Sequence, residues 1–439
     1  MGGLACALAL AKQGFTRIDV YETASNLGFV GAGIQLAPNM ARILDRLGCW
    51  ADIEREAIDL KETSIRQGDT DNELGHVDLR YIREQYGYPH MVGHRASLAG
   101  SLFAGCQKEK SITFHFSTSV VHVNSFSPKP SFTLKPRNGE PYTVTTDVLL
   151  AAGGVKSLVR PQILKALNVH AEVQDTGQAA YRIMLKREEV QHDPELVALI
   201  DGDSVTRWIG EKRHIIAYPV ASKTIYNIST TQPDANFAAA PSATYTTKGS
   251  KSSMLNTFAD FCPKIQRMLA LVPDGEVCKW KLRVHSPLPT WVHGSVALVG
   301  DACHPTLPHL AQGAAQAIED AAVLAVVLAR CPAADARAVN AALRVYERVR
   351  KERAEMLVEL AAASGRALHL GDGAARAERD RQFAALKERR GAAVPDKWAD
   401  ADVQRMIYGS DCVQVAQDEF ERLFGEVGEM KEPAAVASL

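Results

Sequence analysis

The sequence predicts a mixed α/β fold, and three parts of the chain support that prediction. Residues 2–14 have a helical pattern, and a short strand pattern at 17–21 follows directly. The middle stretch 177–290 is rich in strand patterns. An apolar strand at 296–299 then runs through a Pro-rich turn into an Ala-rich helix at 311–330. We therefore expect an α/β unit into which a second, strand-rich unit is inserted.

The individual elements follow from local signals. The first helix opens on two glycines, is filled with Ala and Leu, and closes on Lys12 and Gly14. Pro263 interrupts the apolar stripe at 254–271 and predicts a break into two helices. The Arg/Glu alternation of the long helix at 337–363 predicts a solvated face that carries Arg350 and Arg353. Further strands are expected at 112–116, 120–126, 132–134, 142–145, 147–152, 207–210, 214–220 and 224–230, and further helices at 40–47 and within 398–424.

Length and composition exclude several classes of protein. The 439 residues are enough for two packed domains, and a formal net charge of -1 gives no electrostatic case for nucleic acid or an acidic membrane. No run of 18 apolar residues exists, so the sequence predicts no membrane span. The eight cysteines form no CxxC pair, which argues against a disulfide scaffold or a zinc site. We expect a reducing, cytoplasmic location and no bound metal.

The most informative stretch is 300–322, GDACHPTLPHLAQGAAQAIEDAA. Asp301 follows the apolar strand and is expected at the rim of a sheet, where ligands of α/β folds bind. A carboxylate at that rim can accept hydrogen bonds from ribose or ribityl hydroxyls. Gly313 and Ala314 open the next helix, so a flat or anionic ligand can approach its free N–H groups. The stretch therefore predicts a nucleotide-like cofactor.

A second signal comes from the start of the chain. The spacing from Gly3 to Glu22 is the one expected between the last glycine of a GxGxxG fingerprint and the acidic residue that binds adenosine ribose. The first strand and the first two glycines of that fingerprint are absent, so we expect the sequence as given to begin inside the motif. The loss of about five buried strand side chains, at ~1.5–3 kcal/mol each, would remove on the order of 10 kcal/mol.

Residues 300–322 resemble the second flavin-binding motif of the single-component FAD-dependent aromatic hydroxylases of the salicylate hydroxylase-like branch. The stretch 31–39 is also similar to that family, in which it lies along the ribityl chain and the isoalloxazine. The resemblance implies a Rossmann-like FAD-binding domain at 1–176 and 286–365. It also implies an inserted mixed-sheet substrate domain at 177–285 and a C-terminal helical region at 366–439.

The resemblance also implies a chemistry. NADH or NADPH reduces FAD, O2 adds to give a flavin C4a-hydroperoxide, and its distal oxygen is transferred to a small phenolic or carboxylated aromatic substrate. Side chains cannot activate O2 by themselves, which favours an organic cofactor in a chain without metal-ligand spacing. The implied FAD-binding residues are Gly3, Glu22, Ala32, Gly33, Arg95, Asp301, Pro305, Gly313 and Ala314.

Two positions differ from the family pattern. Gly153 stands where the family has an Asp before Gly154, although Ser157 and Arg160 match. Residues 408–411 are similar to the family's terminal Tyr-Gly-Tyr-Asp, with Ser410 in place of the second Tyr. The first difference leaves the usual account of the FAD site open at Gly153.

The candidate catalytic residues lie on the strands of the substrate domain. Arg182 is a candidate to pair with a substrate carboxylate or to assist flavin movement, and Tyr218 to bond a phenolate. His214 and His309 are weaker candidates for substrate binding or proton acceptance, because the ordinary pKa of His lies near working pH. A flavin epoxidase, a monooxygenase of secondary metabolism and an inactive truncated pseudoenzyme remain alternatives. The sequence leaves the substrate, the choice of NADH or NADPH, and the oligomeric state open.

Overall fold

A computed structural model describes residues 1–27, 32–234, 246–387 and 394–429. The strands are β1 Ile18–Tyr21, β2 Gly33–Leu36, β3 Ile58–Asp59, β4 Glu62–Gln67, β5 Glu73–Asp78, β6 Met91–His94, β7 Ile112–His115, β8 Thr118–Ser125, β9 Ser131–Pro136, β10 Tyr142–Thr145, β11 Leu149–Ala151, β12 Val173–Lys186, β13 Ser204–Gly210, β14 Arg213–Val220, β15 Ile225–Pro233, β16 Thr246–Lys248, β17 Cys278–His285, β18 Val292–His293 and β19 Val296–Leu298.

The helices connect and cover these strands. They are α1 Gly2–Lys12, α2 Pro38–Arg46, α3 Trp50–Glu56, α4 Ile82–Tyr86, α5 Arg95–Gln107, α6 Arg160–Ala166, α7 Arg187–Val190, α8 Pro194–Asp201, α9 Lys251–Thr257, α10 Pro263–Ala270, α11 Gly313–Ala329, α12 Ala336–Leu368, α13 Ala374–Lys387, α14 Ala401–Tyr408 and α15 Cys412–Glu429. Pro263 is the first residue of α10, so the predicted break between two helices is confirmed.

The first layer is an α/β unit with parallel pairings. β1 pairs in parallel with β7, and β11 pairs in parallel with β19. Helix α1 packs against strands of both pairs and lies along α11. The largest apolar core of the described residues joins α1, α2 and α5 to α11, α12 and these strands. The predicted helix–strand succession at the start of the chain and the predicted strand at 296–299 are confirmed.

The second layer is a large mixed sheet with the order β16-β17-β12-β15-β14-β13-β4-β5. Side chains alternate between its two faces. One face forms an apolar core under α8, α9 and α10, with Trp208 and Ile215 at its centre. The opposite face carries a row of polar side chains from neighbouring strands, namely Arg182, Arg207, His214, Tyr218 and Asn227. This polar face looks toward the α/β unit and positions the site.

The large sheet is not confined to the predicted substrate domain at 177–285. β4 and β5 come from the segment assigned to the first domain, and β4 pairs in parallel with β13 over Glu62–Gln67. β12 also begins four residues early, at Val173. Such pairings join residues more than 130 positions apart, so local sequence patterns carry no signal for them. The C-terminal region is helical as expected, and α13 packs on β5. No helix in the described ranges has the length and apolarity that a bilayer crossing requires.

Candidate active site

The turn after β19 depends on a glycine. Gly300 has a φ of +62°, and a Cβ built there would come within 2.9 Å of Ala317 Cβ. Its N–H donates to Asp320 Oδ2 at 2.9 Å, and its carbonyl accepts from Cys303 and His304. A side chain at this position would therefore meet both backbone strain and a clash with α11. The result is a tight turn that fixes the direction of Asp301.

Asp301 lies where the sequence placed it, at the end of a parallel strand. Its side chain reaches solvent although its neighbours Gly300 and Ala302 are buried. Protein surrounds the carboxylate on almost all sides, so desolvation raises its pKa, while His304 and Arg95 oppose that rise. An accessible carboxylate at the bottom of a cleft is suited to accept hydrogen bonds from ligand hydroxyls.

The segment from Pro305 to the start of α11 forms one wall of the cleft. Pro305 is buried, and Ala311 adopts a left-handed conformation with a φ of +54°. Gln312 precedes the first turn of α11, and Gly313 and Ala314 lie half-buried within that turn. A Cβ at Gly313 would approach Thr306 Cγ2 to 3.1 Å. The free N–H groups in the first turn of this 17-residue helix are therefore bordered by residues without bulky side chains.

Asn39 joins this wall to the other flavin-like motif. Its Nδ2 donates to Gln312 Oε1 at 3.0 Å and to Glu319 Oε1 at 2.6 Å. Asn39 is the last residue of the 31–39 stretch and the second residue of α2. Residues 28–31, including Gly31, lie outside the described residues. The two sequence motifs that predicted a cofactor are thus held together by a buried amide.

Gly33 is the point at which the α/β unit meets the large sheet. Its N–H donates to Asn227 Oδ1 at 2.7 Å. A Cβ at Gly33 would lie 2.4 Å from Asn227 Cγ and 2.6 Å from Tyr218 Cε2. Only glycine allows this approach of the β2 backbone to the polar face of β14 and β15. Gly33 and Tyr218, which the sequence analysis assigned to different roles, are therefore in contact.

Two arginines, Arg95 and Arg182, contribute positive charge to the same cleft. Arg95 begins α5, and its backbone N–H donates to the carbonyl of Ala32 at 2.8 Å. Arg182 stacks over the ring of Trp280 at 4.8 Å. Burial and the charge of Arg95 lower the pKa of Arg182. Within the described residues, neither guanidinium forms an ion pair with a carboxylate, so both remain available to bind an anionic ligand.

Tyr218 lies beside these arginines as a neutral phenol. It is 5 % exposed, and burial raises its pKa well above the ordinary value, against the influence of Arg182. No described residue forms a hydrogen bond with its hydroxyl group. The hydroxyl is therefore available to donate to a ligand oxygen.

Gly3 lies in the first turn of α1, and Glu22 directly follows β1. The charges of Arg95, Asp301 and Glu22 all act on the amino group of Met1, so these side chains surround the first turn of that helix. Glu22 Oε1 accepts from Ala24 N–H at 2.9 Å and leaves its second oxygen available. A Cβ at Gly3 would meet Ala152 at 3.5 Å, an ordinary contact. Both residues therefore lie near the cleft, as the sequence predicts. The space around Gly3 would also admit a small side chain.

Gly153, which replaces the family's Asp, precedes a one-turn 3-10 helix at Gly154–Lys156. A Cβ at Gly153 would approach Ser157 Cα to 3.2 Å, so the turn is tight. Arg160 is buried and donates to Val155 O at 2.8 Å and to Ala302 O at 3.2 Å. This guanidinium therefore ties the Gly153 turn to the Asp301 turn without an Asp.

Behind the Asp301 turn lies a buried ion network that the sequence analysis missed. Arg350 has a fully buried side chain and pairs with Glu319 and, at 2.9 Å, with Asp320. Arg353 donates to both oxygens of Glu319. The predicted solvated face of α12 is therefore wrong at these two positions. An acidic pair inside an otherwise small and apolar helix was the available signal, because buried carboxylates need cationic partners.

The same network reaches the C-terminal motif. Arg353 also donates to the carbonyls of Met406 and Ile407, at 2.5 and 2.9 Å. Arg42 donates to the carbonyls of Tyr408 and Ser410, each at 3.0 Å. The 406–411 turn that resembles the family's ending is thus fixed to α2 and α12 through backbone carbonyls, which do not depend on the side chain of Ser410.

His214 and His309 belong to a second cluster with a third histidine, His369, at the end of α12. The ligand nitrogens of all three lie within 4.8 Å of one another. His214 Nδ1 lies 2.6 Å from His369 Nε2. Arg207, also buried, donates to the carbonyl of His309 at 3.3 Å. The sequence analysis gave no role to Arg207 or His369, because His369 is 155 residues away from His214 and follows a helix without any motif.

A cavity of about 380 Å³ adjoins this cluster. Its lining includes Gln178, Lys212, His309, Arg366 and His369. Burial lowers the pKa of His309 to about 3 and that of His369 to about 4, and the pKa of His214 is also well below its usual value. All three imidazoles are therefore neutral at neutral pH.

Comparison with known proteins identifies the family. A family model for the FAD binding domain matches residues 1–361. The FAD-dependent monooxygenase ntnJ of Nectria sp is 32% identical over 388 residues, which are 88% of this chain and 87% of that protein. The 3-hydroxybenzoate 6-hydroxylase 1 of Aquipseudomonas alcaligenes is 32% identical over 332 residues, or 75% of this chain and 79% of that enzyme. The chain belongs to this family of FAD-dependent monooxygenases.

The fold of the monooxygenase is found in solved flavoproteins. It matches a salicylate hydroxylase substrate complex with a TM-score of 0.75, at 23% identity, over 96% of this chain and 95% of that one. It matches CtdE in complex with FAD and a substrate with a TM-score of 0.79, at 19% identity, over 98% and 97% of the two chains. The mixed α/β class and the Rossmann-like FAD-binding domain predicted from the sequence are confirmed.

The cleft of the monooxygenase fits FAD on three observations. Asp301 offers an accessible carboxylate inside a protein-lined cleft. Arg95 and Arg182 bring unpaired positive charge to it. The glycines at 33, 300 and 313 let the backbone of the cleft pack closely against Asn227, Ala317 and Thr306, so no side chain projects from these three positions. These features match a ligand that combines sugar hydroxyls, a pyrophosphate and a flat ring system.

Proposed function

We propose that this FAD-dependent monooxygenase hydroxylates a small phenolic or carboxylated aromatic substrate, with NADH or NADPH as the electron donor and O2 as the oxygen donor. The observation that carries the proposal is the meeting of Asp301, Arg95, Gly33, Tyr218 and Arg182 at one cleft between the α/β unit and the large sheet. The names of related hydroxylases, which act on 3-hydroxybenzoate and 6-hydroxynicotinate, support an aromatic substrate.

Bound FAD would supply the activation of O2, for which the side chains have no means. In the proposed arrangement Asp301 accepts hydrogen bonds from the sugar-alcohol hydroxyls, and Glu22 accepts them from the adenosine ribose. Arg95 is placed to bind phosphate oxygens with its planar guanidinium. Ala32, Gly33, Pro305, Gly313 and Ala314 provide a wall against which the flat ring lies, and Gly3 belongs to the helix start near the phosphates.

Tyr218 and Arg182 are proposed to bind the substrate. Tyr218 remains protonated because burial raises its pKa, so it donates a hydrogen bond to a phenolate oxygen rather than accepting one. Arg182 compensates negative charge on a carboxylate or on the ionised phenol. Both effects favour the phenolate, whose electron-rich ring reacts with an electrophilic oxygen.

His214 is proposed as the acceptor of the phenolic proton. It lies on the same face of β14 as Tyr218, four residues away, and its ring is neutral because burial lowers its pKa. His309, in the loop after the Asp301 turn, is proposed to shape the same pocket.

The domain limits also remain part of this proposal: 1–176 with 286–365, 177–285 and 366–439, adjusted for β4 and β5. A cytoplasmic location is proposed as well, and the free thiols of all eight cysteines support it.

The experiment combines a spectrum with an assay. The purified protein should show the absorbance of bound flavin, and NADH or NADPH oxidation should accelerate with a phenolic acid such as 3-hydroxybenzoate. In ¹⁸O2 the product should gain one labelled oxygen atom.

Y218F and R182Q should retain flavin but lower kcat/KM by about 10- to 100-fold, because each variant loses one polar contact to the charged phenolate or carboxylate of the substrate. Y142F, at an exposed tyrosine of β10, serves as the matched control. Flavin-loaded protein that shows no substrate-stimulated oxidation with a broad panel of phenols would contradict the proposal.

A further inference from the structure

We propose that His369 relays the substrate's phenolic proton from His214 to water in the cavity at the end of α12. The inference rests on the proposed function, in which His214 receives that proton. His369 acts through His214 and is therefore a proton-relay residue.

The geometry of the pair suits proton transfer. His214 lies on β14 of the large sheet, and His369 directly follows α12, so two separate elements hold the rings. His214 Nδ1 and His369 Nε2 are 2.6 Å apart, a hydrogen bond in which one nitrogen donates and the other accepts. The ring centroids of the pair lie 4.9 Å apart, and His309 stacks edge-on at 5.5 Å from each ring. The third ring restricts the rotation of the other two.

The transfer balances with water as the final proton acceptor and needs no other reactant. The phenolic O–H bond breaks, and its proton binds His214 Nε2. The Nδ1–H bond of His214 breaks at the same time, and that proton binds His369 Nε2. The Nδ1–H proton of His369 then passes to water in the cavity. Both rings end neutral in the opposite tautomer, and the reverse shift restores them when the hydroxylated product is protonated.

The surrounding charges oppose a long-lived imidazolium at either ring. Arg207 on β13 and His309 on the loop act on His214. Arg207 and Arg379 on α13 act on His369. Lys212 and Arg366 line the adjoining cavity, and the acidic group that acts on Arg207 is the buried Asp396. A proton delivered to His214 therefore needs an exit. The same positive charges oppose a divalent metal ion among the three imidazoles.

The cavity can hold the water that the exit requires. Its volume of about 380 Å³ exceeds the space of several water molecules. Two buried oxygens on its side of the sheet, Gln178 Oε1 and Thr231 Oγ1, have no hydrogen-bond partner within the part of the chain that the structure describes. Thr231 lies directly opposite His214 in the β14–β15 register. Polar atoms of this kind are satisfied by water.

The test compares H369Q and H369A with the wild-type holoenzyme. Both variants should retain FAD and keep KM for the phenol near the wild-type value, while kcat falls by about 10²-fold, the lower end of the effect of a lost proton-transfer group. Imidazole in the medium should restore part of kcat in H369A, because the cavity gives it access to His214. A stopped-flow pH indicator should show slower proton release in both variants when a phenol binds. H192Q, at an exposed histidine, is the matched control.

The outcomes separate the relay from the proposed function. Wild-type kcat and proton release in H369Q, or no rescue of H369A by imidazole, would overturn the relay while the hydroxylase assignment stands. Stoichiometric zinc binding that requires His369 would also overturn it and assign a metal site instead. Wild-type holoenzyme that neither binds nor oxidises phenols would overturn the proposed function and the relay with it.

Discussion

The absence of a side chain at Gly33 allows the α/β unit to contact the large mixed sheet. Its N–H bonds Asn227, and its Cα lies so close to Tyr218 that a methyl group would overlap both residues. The contact has a functional consequence, because the same residue borders the cofactor wall and the substrate-binding tyrosine. A change at Gly33 should therefore affect flavin and substrate together.

We predict that G33A retains the fold but loses flavin and activity. The new Cβ would lie 2.4 Å from Asn227 Cγ, so Tyr218 and Asn227 must move. Overpacking of this kind costs about 1–3 kcal/mol, and we expect FAD affinity and kcat/KM each to fall by at least about 10-fold. Flavin content after gel filtration and steady-state kinetics measure the two effects. G425A is the control, because a Cβ there meets nothing within 4 Å and alanine in a helix is favoured by about 1 kcal/mol. Equal flavin content in both variants would refute the contact's importance.

Asp301 gives the second prediction at this scale. D301N removes the charge but keeps a similar shape, so FAD should bind about 10- to 100-fold more weakly, the equivalent of one or two charge-assisted hydrogen bonds. Fluorescence titration of the apoprotein with FAD measures the change. D274N, at an exposed turn residue, should bind FAD like the wild type. Unchanged affinity in D301N would show that the carboxylate does not hold the cofactor.

At the scale of elements, α11 and α12 form the frame behind the Asp301 turn. Asp320 on α11 accepts from Gly300 N–H and contacts His304, while Arg350 on α12 fixes Asp320 from the other side. Glu319 extends the network to Arg353 and Asn39. Because each carboxylate orients backbone or side chains of a cofactor motif, the ion pairs position the turn as well as joining two helices.

We predict that R350M destabilises the protein strongly. The substitution keeps an unbranched chain in the buried space but leaves Glu319 and Asp320 with one cation fewer, and loss of one partner of a buried pair costs about 3–5 kcal/mol. Urea unfolding followed by circular dichroism measures the free energy, and retained flavin reports on the Asp301 turn. E352Q, at an exposed position of the same helix, should change stability by less than about 0.5 kcal/mol. An equal effect of the two substitutions would exclude a structural role for the buried network.

Local patterns predicted the elements that carry their own signals. The strand before Asp301, the small-residue start of α11 and the break at Pro263 were all evident from spacing and residue type. Pairings between distant segments had no such signal. β4 joins β13 across the fold, and His369 meets His214 only because α12 ends beside β14. Arg350 was placed on a solvated face because periodicity reports which residues share a face and does not report what covers that face.

At the scale of the whole molecule, buried ionisable groups are concentrated between the layers. Burial lowers the pKa of His90 to about 4, and it lowers the pKa of His309 to about 3. Desolvation acts against Glu319 and Asp320 as well, but the arginines and His304 outweigh it and bring the pKa of each carboxyl to about 2. Each of these four groups therefore binds a proton less readily in the folded protein than in the unfolded chain.

We predict a two-stage loss of stability as the pH falls. The unfolded chain takes up protons on histidine below its usual pKa of about 6.5, so the free energy of unfolding should begin to decrease there and continue to decrease toward pH 4. Asp320 and Glu319 add a second loss from about pH 4 toward pH 2. His90 alone should contribute on the order of 3 kcal/mol across the first stage, at 1.36 kcal/mol per pKa unit.

Thermal midpoints measured between pH 7.5 and 3.5 test this prediction, with H90Q as the key variant. Gln keeps hydrogen-bonding groups that can reach Tyr408 and Gln35, which His90 contacts at 3.1 Å each, but it has no proton to gain in this range. The midpoint of H90Q should therefore fall less steeply between pH 6.5 and 4 than that of the wild type, whereas H192Q, at an exposed ring, should follow the wild type. Parallel curves for all three proteins would mean that His90 takes up its proton as readily in the folded state as in the unfolded one, and that the acid sensitivity arises elsewhere.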